Sequence, residues 1–289
     1  MTGPLAILGP GTLGLGLARW AAERGLAVTL AGRQPGLAER ALDRGAASWL
    51  RDGARRGLSP AQVEAARQRI RAVDTWAAAA EGAAAVLEAL PEDLARKAQA
   101  WSLLDVALDP ATLRLTGSSS LALAAIRREA AMGGPLLGFH CFLPLPRMAM
   151  VELVTEADAP PEAVTRALAL ADSLGLRVAQ VRDQAGYAAS RMALAQGLEA
   201  MRLLASGCAA AADLDALMVH GYGHPCGPLE LSDRIGLDLR LTIAQNLYQA
   251  TGDPRFEPPA ILVDKVARGE TGRKAGAGFY PWAPIEERQ

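Results

Sequence analysis

The chain is poor in the residues that build metal and disulfide sites. Its 289 residues include three cysteines and three histidines. Cys141, Cys208 and Cys226 are odd in number and show no C-x-x-C spacing. That excludes a disulfide framework, argues against bound zinc or any other metal, and fits a reducing cytosol. Lysine occurs only at 97, 265 and 274 and asparagine only at 246, while Ala, Arg, Gly and Leu abound. A genome biased toward those residues would produce both scarcities, so a retained lysine says more than a missing one. The net charge of −1 gives neither a nucleic-acid footprint nor attraction to an anionic membrane. No run of about 18 apolar residues occurs, and the opening Met-Thr-Gly-Pro carries no basic stretch. The expectation is therefore no signal peptide, no membrane span and a cytoplasmic protein.

What is present is enough apolar material, 51% of residues, for one large domain or two moderate ones. Leu5 to Leu8 reads as a short buried strand. It runs into Gly9-Pro10-Gly11-Thr12-Leu13-Gly14, and an Ala/Leu-rich helix follows to about Arg24. In that order the glycines have separate tasks: Gly9 permits the tight turn, Gly11 admits a pyrophosphate close to the backbone, and Gly14 lets helix pack on strand. The helix start then offers N–H groups and a positive dipole end to phosphates. The second strand, Ala27 to Ala31, ends in Gly32-Arg33 where an NAD site has an acid for the adenosine ribose. Arg33 then suits a 2′-phosphate or stacks on adenine, which favours NADP over NAD as the NAD(P) cofactor. A solvated loop arginine with NAD bound by fewer contacts is the alternative.

The stretch from Gly138 to Glu152 is the chemical centre of the sequence. His140 closes an apolar run that begins at Pro135, and a Pro-x-Pro turn at Pro144 and Pro146 reverses the chain. A second apolar segment, Met148 to Val154, carries one embedded carboxylate, Glu152. A strand return of this length brings Glu152 beside His140, giving a general base its orienting acceptor. The competing reading is a satisfied core histidine and an unrelated glutamate.

Gly36 to Gly57 reads as one long helix ending in Arg51, Arg55 and Arg56, and Pro60 to Arg71 as another. The pair is either a plain excursion with a solvated basic face or a clamp for a polyanion such as a CoA phosphate. Strands at Ala84 to Leu90 and Thr112 to Thr116 point Glu88, Glu92 and the Gly117-Ser118-Ser119-Ser120 loop toward the crevice expected for His140. After a helix from Pro160 and a strand from Leu176 to Val181, strands cease. Helices are expected at Tyr187 to Ser206, Ala210 to Val219, Pro228 to Ile235, Leu237 to Thr251 and Pro259 to Gly269. The domain boundary falls near Asp183, and such a helical half usually closes the cleft and supplies an oligomer interface. His220 and His224 have metal-ligand spacing, but Gly221, Gly223 and Pro225 break any helix there, so a loop is expected.

With these motifs in place the chain resembles the L-3-hydroxyacyl-CoA dehydrogenase family, in particular its single-function, 3-hydroxybutyryl-CoA dehydrogenase-like members, over nearly its whole length. The resemblance rests on Gly9 to Gly14, Val86 to Glu92, Ser118 to Leu121, Gly138 to Glu152, Asp183 to Arg191, Gly223 to Leu231 and Gly272 to Tyr280. It implies a Rossmann-like α/β dinucleotide-binding domain over 1–183 and an all-helical substrate and dimerisation domain over 184–289. It implies interconversion of a short-chain (S)-3-hydroxyacyl-CoA and its 3-oxoacyl-CoA in fatty acid metabolism. His140 would take the proton of the 3-hydroxyl as hydride leaves carbon 3, with Glu152 orienting the ring and stabilising its charged form. Ser119 would hydrogen-bond the substrate oxygen. Glu92, Lys97 and Lys274 match positions near the cofactor, Lys97 also lying near the CoA thioester. A homodimer through the helical half follows from the family's habit.

Three positions depart from the family pattern: Gly117, Leu143 and Ser190 each stand where it has asparagine. The first two weaken nicotinamide positioning, and the third leaves substrate polarisation to a shorter donor. Two further readings follow. One is a same-superfamily dehydrogenase of a non-CoA 3-hydroxy acid, as in carnitine- and gulonate-type relatives. The other is a catalytically impaired NAD(P)-binding protein, against which the retained His140 and Glu152 speak.

Overall fold

The computed structural model describes residues 3–145 and 147–283. Pro146, half of the expected Pro-x-Pro turn, lies outside the described residues. The chain divides into two compact units, Met1–Gln184 and Ala185–Gln289.

In the first unit, strand β1 (Leu5–Leu8) leads into helix α1 (Thr12–Glu23) and strand β2 (Val28–Ala31). Three helices follow, α2 (Leu37–Arg44), α3 (Ala46–Arg55) and α4 (Pro60–Arg67), then strand β3 (Ile70–Val73) and helix α5 (Trp76–Ala80). Next come β4 (Ala85–Glu88), α6 (Leu94–Leu104), β5 (Leu113–Thr116), α7 (Leu123–Glu129), β6 (Leu137–Cys141), β7 (Met150–Thr155), α8 (Pro161–Ser173) and β8 (Arg177–Arg182). The strands form one sheet in the order β3-β2-β1-β4-β5-β6-β7-β8. The first six run parallel; β7 pairs antiparallel with β6 and carries β8 parallel to itself. Every residue of β1, β2, β4 and β5 is buried, as strands covered on both faces must be. Ile7, Leu30, Leu87, Leu115 and Phe139 anchor that core.

Two local expectations change. The helix read over Gly36 to Gly57 breaks at Gly45, where a Cβ would lie 1.5 Å from an Arg19 guanidinium nitrogen of α1. The helix begun at Pro60 has a complete capping box, Ser59 Oγ accepting from Gln62 N and the Gln62 side chain from Ser59 N. It ends at Arg67 rather than Arg71, because Ile70 to Val73 pair with Val28 to Ala31 as an edge strand. Four residues with only the first buried are too short to show a strand period.

The second unit contains no strand among its described residues. Helices α9 (Ala189–Ala205), α10 (Ala211–Ala216), α11 (Pro228–Ile235), α12 (Leu237–Thr251) and α13 (Ala260–Ala267) pack around Leu194, Leu198, Met201, Leu229, Leu237 and Leu262. The helix expected to Val219 stops at Ala216 and widens into a π-turn over Leu217–Gly221 that contains His220. Two buried carboxylates pin the later motifs. Asp215 accepts from Leu229 N and Glu230 N at the start of α11 and from the Tyr280 hydroxyl. Asp233 accepts from Phe279 N, Tyr280 N and the Trp282 indole. Among the described residues no helix is long and apolar enough to cross a membrane.

Candidate active site

The glycine turn sits between β1 and α1. Gly9 has φ +105°, a left-handed conformation that suits glycine. A Cβ on Gly14 would stand 1.9 Å from the Gly9 carbonyl oxygen. Gly11 differs: a Cβ there would meet no protein atom within 4 Å. The fold therefore does not need glycine at 11, whereas a pyrophosphate lying on the backbone does. No side chain caps α1 and no acid occupies its first turn, so the helix start keeps its N–H groups and positive end for an anion. These residues fit a dinucleotide. Leu13, inside the turn, packs against Gly117, where an added Cβ would lie 2.7 Å from its Cδ2.

The end of β4 carries a buried electrostatic unit. Glu88 and Lys97, 0% and 1% exposed, form an ion pair at 2.8 Å. Glu88 also accepts from Thr116 Oγ1 at 2.7 Å and Leu90 N at 2.6 Å, so its oxygens are saturated. The Lys97 ammonium continues to the Leu90 carbonyl and to Glu92 at 3.4 Å. Glu92 in turn gathers the serine loop: one oxygen accepts from Ser118 Oγ, Ser119 N, Ser120 N, Ser120 Oγ and Leu121 N at 2.6–3.3 Å. Burial alone would push the Glu92 carboxyl up, but Lys97 and the Ser118 and Ser120 hydrogen bonds outweigh it and hold it below the usual carboxylate range. Glu92 thus fixes the loop that presents Ser119.

His140 and Glu152 face each other as a cross-strand pair in the β6–β7 register. Nδ1 of the ring lies 2.7 Å from Glu152 Oε2, with side chains 13% and 3% exposed. The Phe142 ring flanks the imidazole at 4.9 Å between centroids. Thr116 pairs with Gly138, so the serine loop and His140 leave neighbouring parallel strands at their carboxyl ends, where open α/β sheets bind ligands. A cavity of about 1100 Å³ lies elsewhere: Ala83, Ala84 and Thr112 place it at the amino ends of β4 and β5. Cys141 is buried, and burial pushes its thiol well up, so it is no nucleophile.

The remaining expected contacts divide. Arg33 is exposed beside the end of β2, its guanidinium 5.9 Å from the Trp76 ring and 3.5 Å from Gln99 Oε1. Arg51 and Arg55 are exposed on α3. Two of the expected cations already have partners. Arg56 is held by both oxygens of Glu23 at 2.6 and 2.7 Å and lies over Trp20, so it braces the end of α3 against α1. Lys97 has no exposed ammonium to offer a thioester; its charge is spent on Glu88 and Glu92. Glu88, expected to line the crevice, is the buried partner of that lysine. Lys274 is exposed and paired with Asp238 at 2.5 Å, and Ser190 lies in the first turn of α9.

A parallel α/β sheet with a glycine turn after its first strand, and a histidine–carboxylate pair at a neighbouring strand end, is the build of a nicotinamide-dinucleotide oxidoreductase. Comparison with known proteins agrees. The family model for the 3-hydroxyacyl-CoA dehydrogenase NAD binding domain matches residues 4–184, and that for the C-terminal domain matches residues 186–282. A probable 3-hydroxybutyryl-CoA dehydrogenase of Bacillus subtilis is 31% identical over 96% of both chains. The 3-hydroxyadipyl-CoA dehydrogenase of Escherichia coli is 32% identical over 98% of this chain and 60% of its own. The crystal structure of Mycobacterium tuberculosis FadB2 superposes with a TM-score of 0.91 at 29% identity, covering 97% of this chain and 99% of that one. The chain belongs to the 3-hydroxyacyl-CoA dehydrogenase family and is an oxidoreductase built to bind a nicotinamide dinucleotide.

Proposed function

We propose that the protein interconverts a short-chain (S)-3-hydroxyacyl-CoA and the corresponding 3-oxoacyl-CoA with NAD(P)(H). The observation that carries this reading is the 2.7 Å contact between His140 Nδ1 and Glu152 across the β6–β7 pair. It fixes the ring and directs Nε2 to the substrate 3-hydroxyl, whose proton it takes; in the reducing direction it returns that proton. Glu152 stabilises the imidazolium formed in between. A bound nicotinamide supplies the hydride acceptor for carbon 3, or the donor in reverse. Ser119, set by the Glu92 cradle, donates to the substrate oxygen, and Ser190 adds a second, shorter-armed donor. Gly11, Thr12, Leu13 and the other turn residues hold the pyrophosphate. Lys274 remains a cofactor contact, and Arg33 favours NADP through the 2′-phosphate.

Arg51 and Arg55 receive the CoA phosphates, and the helical unit joins two copies into a homodimer of a cytoplasmic enzyme. A second reading, a dehydrogenase of a non-CoA 3-hydroxy acid, is favoured by one observation: of the four cations expected for CoA, Lys97 is buried in an ion pair with Glu88 and Arg56 is held at the surface by Glu23. Competition by free CoA against acetoacetyl-CoA reduction separates the two. Inhibition supports the CoA reading, and its absence moves the search to non-CoA 3-oxo acids.

A further inference from the structure

The cofactor end of the sheet carries a charge that the reading of Arg33 does not use. Strands β2 and β3 are in register, with Ala31 opposite Val73, and Gly32 N donates to the Val73 carbonyl at 3.1 Å. Asp74 therefore emerges from β3 beside the point where Arg33 emerges from β2. Both line one cavity of about 400 Å³ together with Gly32, Trp76, Gln99 and Leu103. The Asp74 carboxylate is exposed but held in place, since Oδ1 accepts from Gly36 N at 2.7 Å. Arg33 is held separately by Trp76 and Gln99, and no ion pair joins it to Asp74. Two opposite charges thus stand at the walls of one cavity without an ion pair between them, at the carboxyl ends of adjacent strands. The acid missing after β2 has a counterpart in space supplied by β3.

We propose that Asp74 is a second cofactor-selecting residue. It accepts a hydrogen bond from the adenosine 2′-hydroxyl of NAD(H) and repels the 2′-phosphate of NADP(H), so that Asp74 and Arg33 together set the ratio in which the two cofactors bind. The inference rests on a dinucleotide lying at the glycine turn. Arg33 alone would make the site strongly selective for the phosphate; beside Asp74 its advantage is cut, and both cofactors are used.

The test is direct binding of NADH and NADPH to the full chain, read by nicotinamide fluorescence, for wild type, Asp74→Asn and Arg33→Ala. Asparagine keeps the oxygen that accepts from Gly36 N, so the turn survives and only the charge changes. Removing one charge a few ångströms from a dianion in a solvated cavity should tighten NADPH about tenfold in Asp74→Asn while NADH weakens severalfold. Arg33→Ala should weaken NADPH about tenfold and leave NADH within about threefold. Equal shifts for both cofactors in Asp74→Asn, or none, overturn the inference. Wild type that binds neither cofactor overturns it together with the dinucleotide reading. Binding that follows the expected pattern without turnover of acetoacetyl-CoA supports it and counts only against the substrate assignment.

Discussion

At the scale of single residues, the proposed function rests on the His140–Glu152 pair. Glu152→Gln keeps the size and an acceptor oxygen but removes the charge that stabilises the imidazolium. We predict a fall in kcat of about a hundredfold or more with the melting temperature little changed, measured by steady-state kinetics beside thermal unfolding. An unchanged kcat would reduce Glu152 to a packing residue. The pairing of the two side chains was partly legible, because both sit on apolar strand-like runs joined by a proline-rich turn. The register was not, since the conformation of the turn decides whether position 152 or a neighbour faces 140. Likewise the strand ends placed Glu92 and the serine loop at one crevice, but the donors that Glu92 gathers from the loop became visible only when β4 and β5 lay side by side. Asp74 left no signal in the sequence, because β3 itself went unrecognised.

At the scale of elements, the carboxyl ends of β4 and β5 and the start of α6 behave as one device. Lys97→Met would leave Glu88 buried without its cation and should cost about 3–5 kcal/mol of stability by chemical denaturation, with Glu88→Gln added to it restoring much of the loss. A loss no larger than that of a surface substitution would contradict the buried pair. The Glu92 carboxyl, held below its ordinary range by the fold, contributes stability that is fully present above that range and lost as pH falls through its folded value. Acidification below the usual carboxylate range should therefore release the serine loop before the core melts, detectable as faster amide exchange at Ser119 to Leu121. Loop exchange unchanged down to global unfolding would count against the cradle. The same packing explains why Gly117 is not a simple vacancy for the family's asparagine. Leu13 fills the space, so Gly117→Asn should help only when combined with Leu13→Ala. The buried parallel strands were readable from short, mostly apolar runs. The break at Gly45 was not, because the Arg19 guanidinium that crowds this position comes from another helix.

On the scale of the whole molecule, the α/β first unit and the helical second unit were legible from where strand patterns cease. The reasons for the later motifs were not: Gly227-Pro228 and Gly278-Phe279-Tyr280 serve the buried Asp215 and Asp233, which no local pattern reveals. The second unit also holds a cost. Arg240 of α12 is buried, with Nε and one terminal nitrogen lacking any partner, and burial lowers its pKa to about 10. A cationic group with a depressed folded pKa destabilises the fold while it stays charged, so the penalty stands at neutral pH and is relieved as pH rises from about 10 toward the ordinary arginine value. Arg240→Met should therefore raise stability by about 1–3 kcal/mol at pH 7, and a lowered melting temperature would show that the guanidinium has a favourable partner.

The central claim is that His140 moves the proton in a nicotinamide-dependent reduction of a 3-oxoacyl-CoA. The direct measurement follows NADPH and NADH oxidation with acetoacetyl-CoA by wild type and His140→Ala. The account predicts turnover with both cofactors, faster with NADPH, and a loss of about a hundredfold or more in the variant while cofactor binding persists. Unchanged turnover in His140→Ala would remove the histidine from the mechanism, and tight cofactor binding by wild type without any turnover would contradict the substrate.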